Sequence, residues 1–174
     1  MKYIGLDAGS VSVKVVVMDE DGNVIDSVYE RHKGHSIVVA YKNLASMNLD
    51  GLPVAVTGTA GKTIAAILGV RHTNELAAQS YAAKRLFPST NTIIEMGGED
   101  SKFIILDESG IRDFSMNSVC AAGTGSFLDQ QAERLRLSIE EFGEMAVKTL
   151  HPPRIAGRCS VFAKSDMIHL QQIA

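Results

Sequence analysis

The sequence predicts an α/β protein in which a β-β-β-α unit occurs twice. Each copy begins with a short apolar strand, continues through a turn that combines glycine with acidic residues, and carries a lysine on the following strand. A duplication of this kind restricts the fold more strongly than a single motif does. We therefore expect a first lobe over residues 1–89 and a partial second lobe over residues 90–174, the latter containing both cysteines.

The first unit is predicted to be a three-stranded antiparallel meander followed by helices and one more strand. Its clearest turn is Asp19-Glu20-Asp21-Gly22-Asn23, because Asp-Gly and Gly-Asn tolerate a positive φ angle. The predicted strands are Tyr3–Asp7, Ser12–Asp19, Val24–Glu30 and Pro53–Thr57, and the predicted helices are Ile37–Met47, Gly61–Leu68 and Glu75–Leu86.

The second unit repeats this order. Its strands are separated by a glycine turn and by the turn Asp107-Glu108-Ser109-Gly110. The predicted strands are Thr92–Met96, Ser101–Asp107 and Ile111–Met116, and the predicted helices are Gly125–Leu135, Ser138–Lys148 and Cys159–Ile173.

The composition is that of a folded globular protein, with 45% hydrophobic and 21% charged residues among 174. A formal net charge of -3 gives no reason to expect a nucleic acid or an anionic membrane as a partner. The apolar runs are far shorter than the ~20 residues of a membrane span. The first residues lack the apolar core of a signal peptide, so we expect a cytoplasmic protein.

Two glycine turns have the composition of phosphate-binding loops: Asp7-Ala8-Gly9-Ser10 and Gly97-Gly98-Glu99-Asp100. Glycine lets the backbone approach a ligand closely, and the amides of such a turn can point at phosphate oxygens. A carboxylate beside phosphate requires Mg²⁺ between them, so Asp7 and Asp100 are candidate outer-shell Mg²⁺ ligands. Hydroxyl groups and a compensating charge come from Ser10, Ser12 and Lys14.

The duplication and the two turns predict an ATP-binding unit of the actin and Hsp70 type, with the ribonuclease H-like motif. A third glycine segment, Gly58–Thr63, ends like a P-loop. Two residues separate its glycines where a P-loop has four, so it is too short to wrap a phosphate. We predict a strand-to-helix turn there.

The two cysteines, Cys120 and Cys159, each precede a predicted helix. Amides at a helix start favour an anion or a thiolate, and a cysteine there is a good metal ligand. Two cysteines cannot complete a four-ligand metal site within one chain. Two unrelated buried thiols therefore stay an open alternative. The five histidines show no metal-binding spacing, and we interpret them as surface or core residues.

At four segments the chain resembles the ATPase activators of 2-hydroxyacyl-CoA dehydratases. This BadF/BadG/BcrA/BcrD type of family includes the ATPase subunits of benzoyl-CoA reductase. The resemblance runs from Tyr3 to about Leu170, and its specific parts are the two cysteine segments, because glycine loops occur in any kinase or chaperone of this fold. The four segments are Ile4–Ser10, Gly97–Lys102, Asn117–Gly125 and Cys159–Ala163.

The resemblance implies a homodimer in which Cys120 and Cys159 of each subunit hold one [4Fe-4S] cluster at the interface. It implies that Mg-ATP binding and hydrolysis drive a low-potential electron into a CoA-ester dehydratase or reductase component, with reduced ferredoxin or flavodoxin as donor. The implied catalytic residues are Asp7, Glu95 and Asp100. The implied nucleotide-binding residues are Gly9, Ser10, Ser12, Lys14, Gly97, Gly98, Glu99, Gly123, Thr124 and Gly125.

The chain departs from the family pattern at two places. Family members often have Asp-Ile-Gly-Gly-Gln-Asp where this chain has residues 95–100, and the longer Glu95 can still hold a Mg²⁺-bound water. The family's glycine-rich adenosine-binding segment would lie beyond Ala174. We therefore expect an N-terminal fragment of a longer activator, with an incomplete second lobe.

Two other functions stay open at this point. A small-metabolite kinase of the same fold would need a catalytic carboxylate near its substrate, and it would leave the two cysteines unexplained. A non-catalytic nucleotide-binding domain would bind Mg-ATP without turnover.

Overall fold

The computed structural model describes residues 1–47, 51–117 and 124–173, and its elements follow the predicted order. Observed and predicted boundaries differ by at most one residue. The strands are β1 (Tyr3–Ala8), β2 (Ser12–Met18), β3 (Val24–Arg31), β4 (Val54–Thr57), β5 (Thr92–Met96), β6 (Ser101–Asp107) and β7 (Gly110–Met116). The helices are α1 (Ser36–Ser46), α2 (Gly61–Leu68), α3 (Glu75–Leu86), α4 (Gly125–Leu135), α5 (Ile139–Lys148) and α6 (Ser160–Ile173).

The first sheet has the strand order β3-β2-β1-β4. β1 is antiparallel to β2, with Asp7 opposite Lys14, and parallel to β4, with Asp7 opposite Thr57. Residues opposite each other in neighbouring strands share a face of the sheet. Asp7 therefore lies between a lysine and a threonine in one row across three strands.

The core of the first unit lies on the other face of this sheet. Period-two alternation in β1 and β2 buries Ile4, Leu6 and Ala8 beside Val13 and Val15. Residues of α1 and α2 complete this cluster, namely Val39, Ala40, Ile64 and Ala65. Because this face packs against the helices, Asp7 and Lys14 lie on the opposite face of the sheet, where a ligand can reach them.

The second sheet has the order β5-β6-β7, and α4, α5 and α6 follow it along the chain. Its central strand buries Lys102, Ile104 and Leu106. α5 begins with a capping box, in which the Ser138 hydroxyl accepts from the Glu141 amide and the Glu141 carboxylate accepts from the Ser138 amide. The α/β class and the duplicated β-β-β-α order are therefore confirmed.

By density of contacts the chain forms two compact units. One comprises Met1–Ile93 with Ile105–Arg112, and the other comprises Ile94–Ile104 with Asp113–Ala174. The division into lobes of residues 1–89 and 90–174 stays a prediction. Across the described ranges, no helix has both the length and the apolar character to cross a membrane.

Candidate functional site

The first hairpin, residues 7–14, is closed by the amide of Gly9, which donates to the Ser12 carbonyl at 3.0 Å. Across the two strands the Lys14 ammonium donates to Asp7 Oδ2 at 2.9 Å. These two side chains are 38% and 39% exposed, so both remain within reach of a ligand. The buried Ser12 lies at the start of β2.

The carbonyl groups of this hairpin are held by partners outside it. The Ala60 amide donates to the Ala8 carbonyl at 2.8 Å, and the His32 imidazole Nε2 lies 3.1 Å from the Gly9 carbonyl. In a trans peptide the N–H points away from the C=O, so the Ser10 amide faces away from His32. Within the described part of the chain, the Ser10 and Val11 amides donate to no protein group. Successive free amides of this kind form an anion-binding nest.

The second hairpin, residues 95–102, repeats this construction. The Gly97 amide donates to the Asp100 carbonyl at 2.8 Å, and Lys102 lies seven residues after Glu95, as Lys14 does after Asp7. The Lys102 ammonium lies 3.1 Å from Glu95 Oε2 and 3.1 Å from Asp100 Oδ1. By position, Glu95 is thus the counterpart of Asp7.

Glu95 offers an acceptor for a metal-bound water. Its Oε1 accepts a hydrogen bond from the Lys102 ammonium at 3.2 Å, whereas Oε2, although close to the same ammonium, is buried and accepts no hydrogen bond of full geometry. Hard oxygen ligands and retained waters are what Mg²⁺ prefers. The carboxylates of Glu95 and Asp100 therefore fit a magnesium ion held through water.

Of the third glycine segment, Cys120 and Gly123 lie outside the described residues, whereas Thr124 and Gly125 lie within them. Thr124 is buried and precedes α4. The Gly125 amide donates to the Gly97 carbonyl at 2.9 Å, and the Ser126 amide donates to the Gly98 carbonyl at 2.8 Å. These two amides are thus engaged with carbonyls of the second hairpin and hold it in place. That the segment 123–125 binds the nucleotide stays a prediction.

The P-loop-like segment is a strand-to-helix turn, as predicted: β4 ends at Thr57 and α2 begins at Gly61. Gly58 has φ +96° and packs on the first hairpin, where an added Cβ would lie 2.3 Å from the Ala8 carbonyl oxygen. This contact requires glycine, and it positions the turn as a support for the first hairpin.

Cys159 lies at the start of a helix, as the sequence predicted. Its carbonyl accepts from the Ala163 amide at 2.9 Å, which makes it the residue that flanks α6. The preceding segment is fixed by the Ala156 amide, which donates to Asp166 Oδ2 at 2.9 Å. The thiol is free and half-buried. Within residues 1–47, 51–117 and 124–173, no group of three His, Cys, Asp or Glu side chains could hold a metal ion.

Two histidines have contacts that the sequence interpretation missed. His32, although buried, contacts Gly9 of the first hairpin, and His72 Nε2 lies 3.1 Å from the Gly58 carbonyl. The interpretation as surface or core residues is therefore incomplete for both. Spacing could not reveal these contacts, because the partners are backbone carbonyls 23 and 14 residues away in the chain.

A groove of about 610 Å³ lies between the sheet face that carries Asp7 and helix α3. Asp7, Lys14 and Thr57 line it, together with mostly apolar residues that include Val16, Met18, Ala77 and Ala82. An apolar lining of this kind does not match a triphosphate. The free amides of Ser10 and Val11 are better suited to a phosphate than this groove is.

A repeated α/β unit with a glycine hairpin in each copy defines an ATPase of the actin and Hsp70 type. Residues 4–173 match the BadF/BadG/BcrA/BcrD ATPase family, and the chain belongs to that family. The 2-hydroxyisocaproyl-CoA dehydratase activator of Clostridioides difficile is 31% identical over 100% of this chain and 68% of the relative. The (R)-2-hydroxyglutaryl-CoA dehydratase activating ATPase of Acidaminococcus fermentans is 28% identical over 95% of this chain and 65% of the relative.

Two solved structures have the same fold. The activator of the 2-hydroxyisocaproyl-CoA dehydratase from Clostridium difficile, with bound ADPNP, matches with a TM-score of 0.83 and 31% identity, over 100% of this chain and 67% of that one. Component A of the (R)-2-hydroxyglutaryl-CoA dehydratase of Acidaminococcus fermentans also matches with a TM-score of 0.83, at 24% identity, over 100% of this chain and 70% of that one. The chain thus spans about two thirds of the length of these two relatives.

Proposed function

We propose that this chain is the nucleotide- and cluster-binding part of an ATP-dependent activator that passes a low-potential electron to a CoA-ester dehydratase or reductase. The observation that carries the proposal is Cys159, a free thiol at the start of α6, in a chain that also has two phosphate hairpins of one construction. A kinase of this fold would have no use for that thiol. The named activities of the relatives support the same assignment.

Each hairpin binds phosphate groups of Mg-ATP through its free amides. In the first hairpin these amides belong to Ser10 and Val11, beside Gly9, and Ser12 and Lys14 complete the cradle. In the second hairpin the corresponding amides are those of Gly98 and Glu99, beside Gly97, and we assign Gly123, Thr124 and Gly125 to the same nucleotide site. Asp7 in the first hairpin, and Glu95 and Asp100 in the second, are the carboxylates that would hold magnesium-bound water, and the ion would supply positive charge to the phosphates.

The cysteines fit an iron-sulfur cluster in number and in chemistry. The chain contains two cysteines, so two copies supply the four thiolates that a [4Fe-4S] cluster needs. The cluster, when bound, supplies the low-potential electron. Cys159 and Cys120 would hold it at a homodimer interface, and the α6 amides that follow Cys159 favour its negative charge. Ferredoxin or flavodoxin in the reduced form would return the electron, and the location would be cytoplasmic.

Anaerobic reconstitution with iron and sulfide tests this proposal. We expect a brown dimer with four irons for every two chains, and loss of colour and of dimer in Cys120→Ser and in Cys159→Ser. His151→Asn is the matched control, because His151 is exposed and precedes Cys159 in the same segment, so that its replacement removes an adventitious iron ligand only.

The possible outcomes separate the three functions. If the wild-type chain remained a colourless monomer that still bound Mg-ATP, the result would favour a non-catalytic nucleotide-binding domain over the activator. Phosphorylation of a sugar or small-metabolite panel by that colourless protein would favour the kinase. Equal iron content in Cys159→Ser and in the wild type would remove Cys159 from the cluster site.

A further inference from the structure

We propose that His32 is a positioning residue of the first hairpin: its imidazole holds the Gly9 carbonyl, so that the Ser10 amide is presented to a phosphate. This inference rests on the proposed nucleotide binding. It deepens that function by assigning a role to a side chain outside the glycine turn.

The hydrogen bonds of His32 determine which tautomer of the neutral ring fits this site. The Gly34 amide donates to His32 Nδ1 at 3.0 Å, so Nδ1 carries no proton. A neutral ring therefore carries its proton on Nε2, which lies 3.1 Å from the Gly9 carbonyl oxygen and donates to it. The ring is buried, with 8% of the residue exposed, so that water competes poorly for either bond.

His32 also contacts the hairpin through its backbone. Its amide donates to the Val11 carbonyl at 3.1 Å. One residue thus holds the carbonyls of both neighbours of Ser10. The Gly9 carbonyl is turned away from the direction in which the Ser10 amide points, because both belong to one trans peptide. A carbonyl turned in that direction would repel a phosphate. Holding it back is what a phosphate-binding turn requires.

The second hairpin provides an internal comparison. Gly97 occupies the position of Gly9, two residues after the carboxylate and with the same closing hydrogen bond. Its carbonyl is also held from outside the hairpin, by the Gly125 amide at 2.9 Å. Both copies therefore hold the same carbonyl with an external N–H group, a helix amide in one copy and an imidazole in the other.

His72 supports the first hairpin indirectly. Its Nε2 contacts the Gly58 carbonyl, and the Gly58 turn donates the Ala60 amide to the Ala8 carbonyl. The two histidines thus support successive carbonyls of the first hairpin. His32 contacts the Gly9 carbonyl directly, and His72 contacts the Gly58 turn, which binds the Ala8 carbonyl. We expect the direct contact to matter more for nucleotide affinity.

Two substitutions of His32 separate its two bonds. The amide nitrogen of Gln lies near the position of Nε2, so His32→Gln can still donate to Gly9. The shorter Asn places an oxygen near Nδ1, so His32→Asn can accept from Gly34 but cannot reach Gly9. His35→Gln is the matched control, because His35 is exposed in the same segment and its side chain caps nothing.

The measurement is Mg-ATP affinity by calorimetry on the full chain, with the melting temperature recorded without nucleotide. We expect affinity to fall roughly tenfold in His32→Asn, the size expected for one lost hydrogen bond, and to be mostly restored in His32→Gln. His35→Gln should match the wild type. Equal affinity in the Asn and Gln variants, with both folded, would overturn the proposal.

Amide NMR spectra distinguish the loss of the His32 contact from a failure of the chain to bind nucleotide. If the wild-type chain binds no Mg-ATP, the nucleotide proposal fails, and the contact is then judged from the unliganded ¹⁵N spectrum. The Ser10 and Val11 amide signals should move in His32→Asn and return in His32→Gln. Unmoved signals in His32→Asn would overturn the positioning role.

Discussion

The two hairpins share one construction but differ in how their charges and supports are built. In the first, Lys14 pairs with Asp7 at a half-exposed site, and its ammonium also lies 5.9 Å from the Tyr29 ring. In the second, Lys102 is 4% exposed and faces two carboxylates, Glu95 and Asp100. A buried ammonium is strongly destabilising unless it is paired, whereas an exposed one is not. The second copy therefore depends on its charges for stability, and the first is free to use them for a ligand.

The backbone segments that support the two hairpins also differ, in how closely they pack. The Gly58 turn lies against the first hairpin backbone with no room for a side chain, whereas the start of α4 lies against the second at ordinary contact distance, 3.4 Å from the Gly97 oxygen to a Cβ added at Gly125. One hairpin is thus supported by a tightly packed glycine turn, and the other by a helix start that leaves room for a methyl group.

The largest effect should come from adding a methyl group to each support. Gly58→Ala combines a positive φ of +96° with a Cβ at 2.3 Å from the Ala8 oxygen, and we expect a loss of about 4 kcal/mol in the free energy of unfolding. Gly125→Ala, the matched variant in the second copy, should change it by less than about 1 kcal/mol. Urea unfolding of both variants measures the difference. Similar losses would show that the two supports are equally tight.

The sequence predicted this construction only in part. Glycine, Asp-Gly and Gly-Asn turns between apolar runs fixed the strands, because local backbone preference and alternation act within a few residues. The pairing of Asp7 with Lys14 follows from the antiparallel register once the turn is known. The contacts of His32 and His72 could not be predicted. Every residue has a backbone carbonyl, so the sequence does not show which one a histidine contacts.

The candidate site, too, was predicted only in part from the sequence. The carboxylates, lysines and glycines were predicted from residue type, which carries their chemistry. The occupation of the Gly125 and Ser126 amides by hairpin carbonyls was not, because it depends on where α4 lies relative to the second hairpin. Tertiary contacts decide which amides remain free for a ligand.

A smaller effect should follow from removing each lysine. Lys102→Ala leaves Glu95 and Asp100 without their shared counter-ion, and we expect a loss of about 3 kcal/mol in the free energy of unfolding. Lys14→Ala breaks a half-exposed pair and should cost less than about 1 kcal/mol. Both values come from urea unfolding at neutral pH. If Lys14→Ala proved as costly as Lys102→Ala, the contrast between a structural and an available lysine would fail.

The smallest effect concerns the turns that follow the second strand of each copy, where the units are alike. A hydrogen bond from the Asn23 side chain, aided by the Asn23 amide, lowers the pKa of Asp19 from its ordinary value of 3.8. The Ser109 hydroxyl and amide lower the pKa of Asp107 from the same value. Because both folded values are lowered, each carboxylate stabilises the fold above pH 3.8, and this contribution is lost as the pH falls through the lowered pKa.

Carboxylate titration by NMR measures these two turns directly. We expect midpoints below 3.8 for Asp19 and for Asp107. Asn23→Ala should return the Asp19 midpoint toward its ordinary value, and Ser109→Ala should do the same for Asp107, because each variant removes the largest cause of the shift. An unchanged Asp19 midpoint in Asn23→Ala, beside a shifted Asp107 midpoint in Ser109→Ala, would show that the two copies differ at their outer turns as well as at their hairpins.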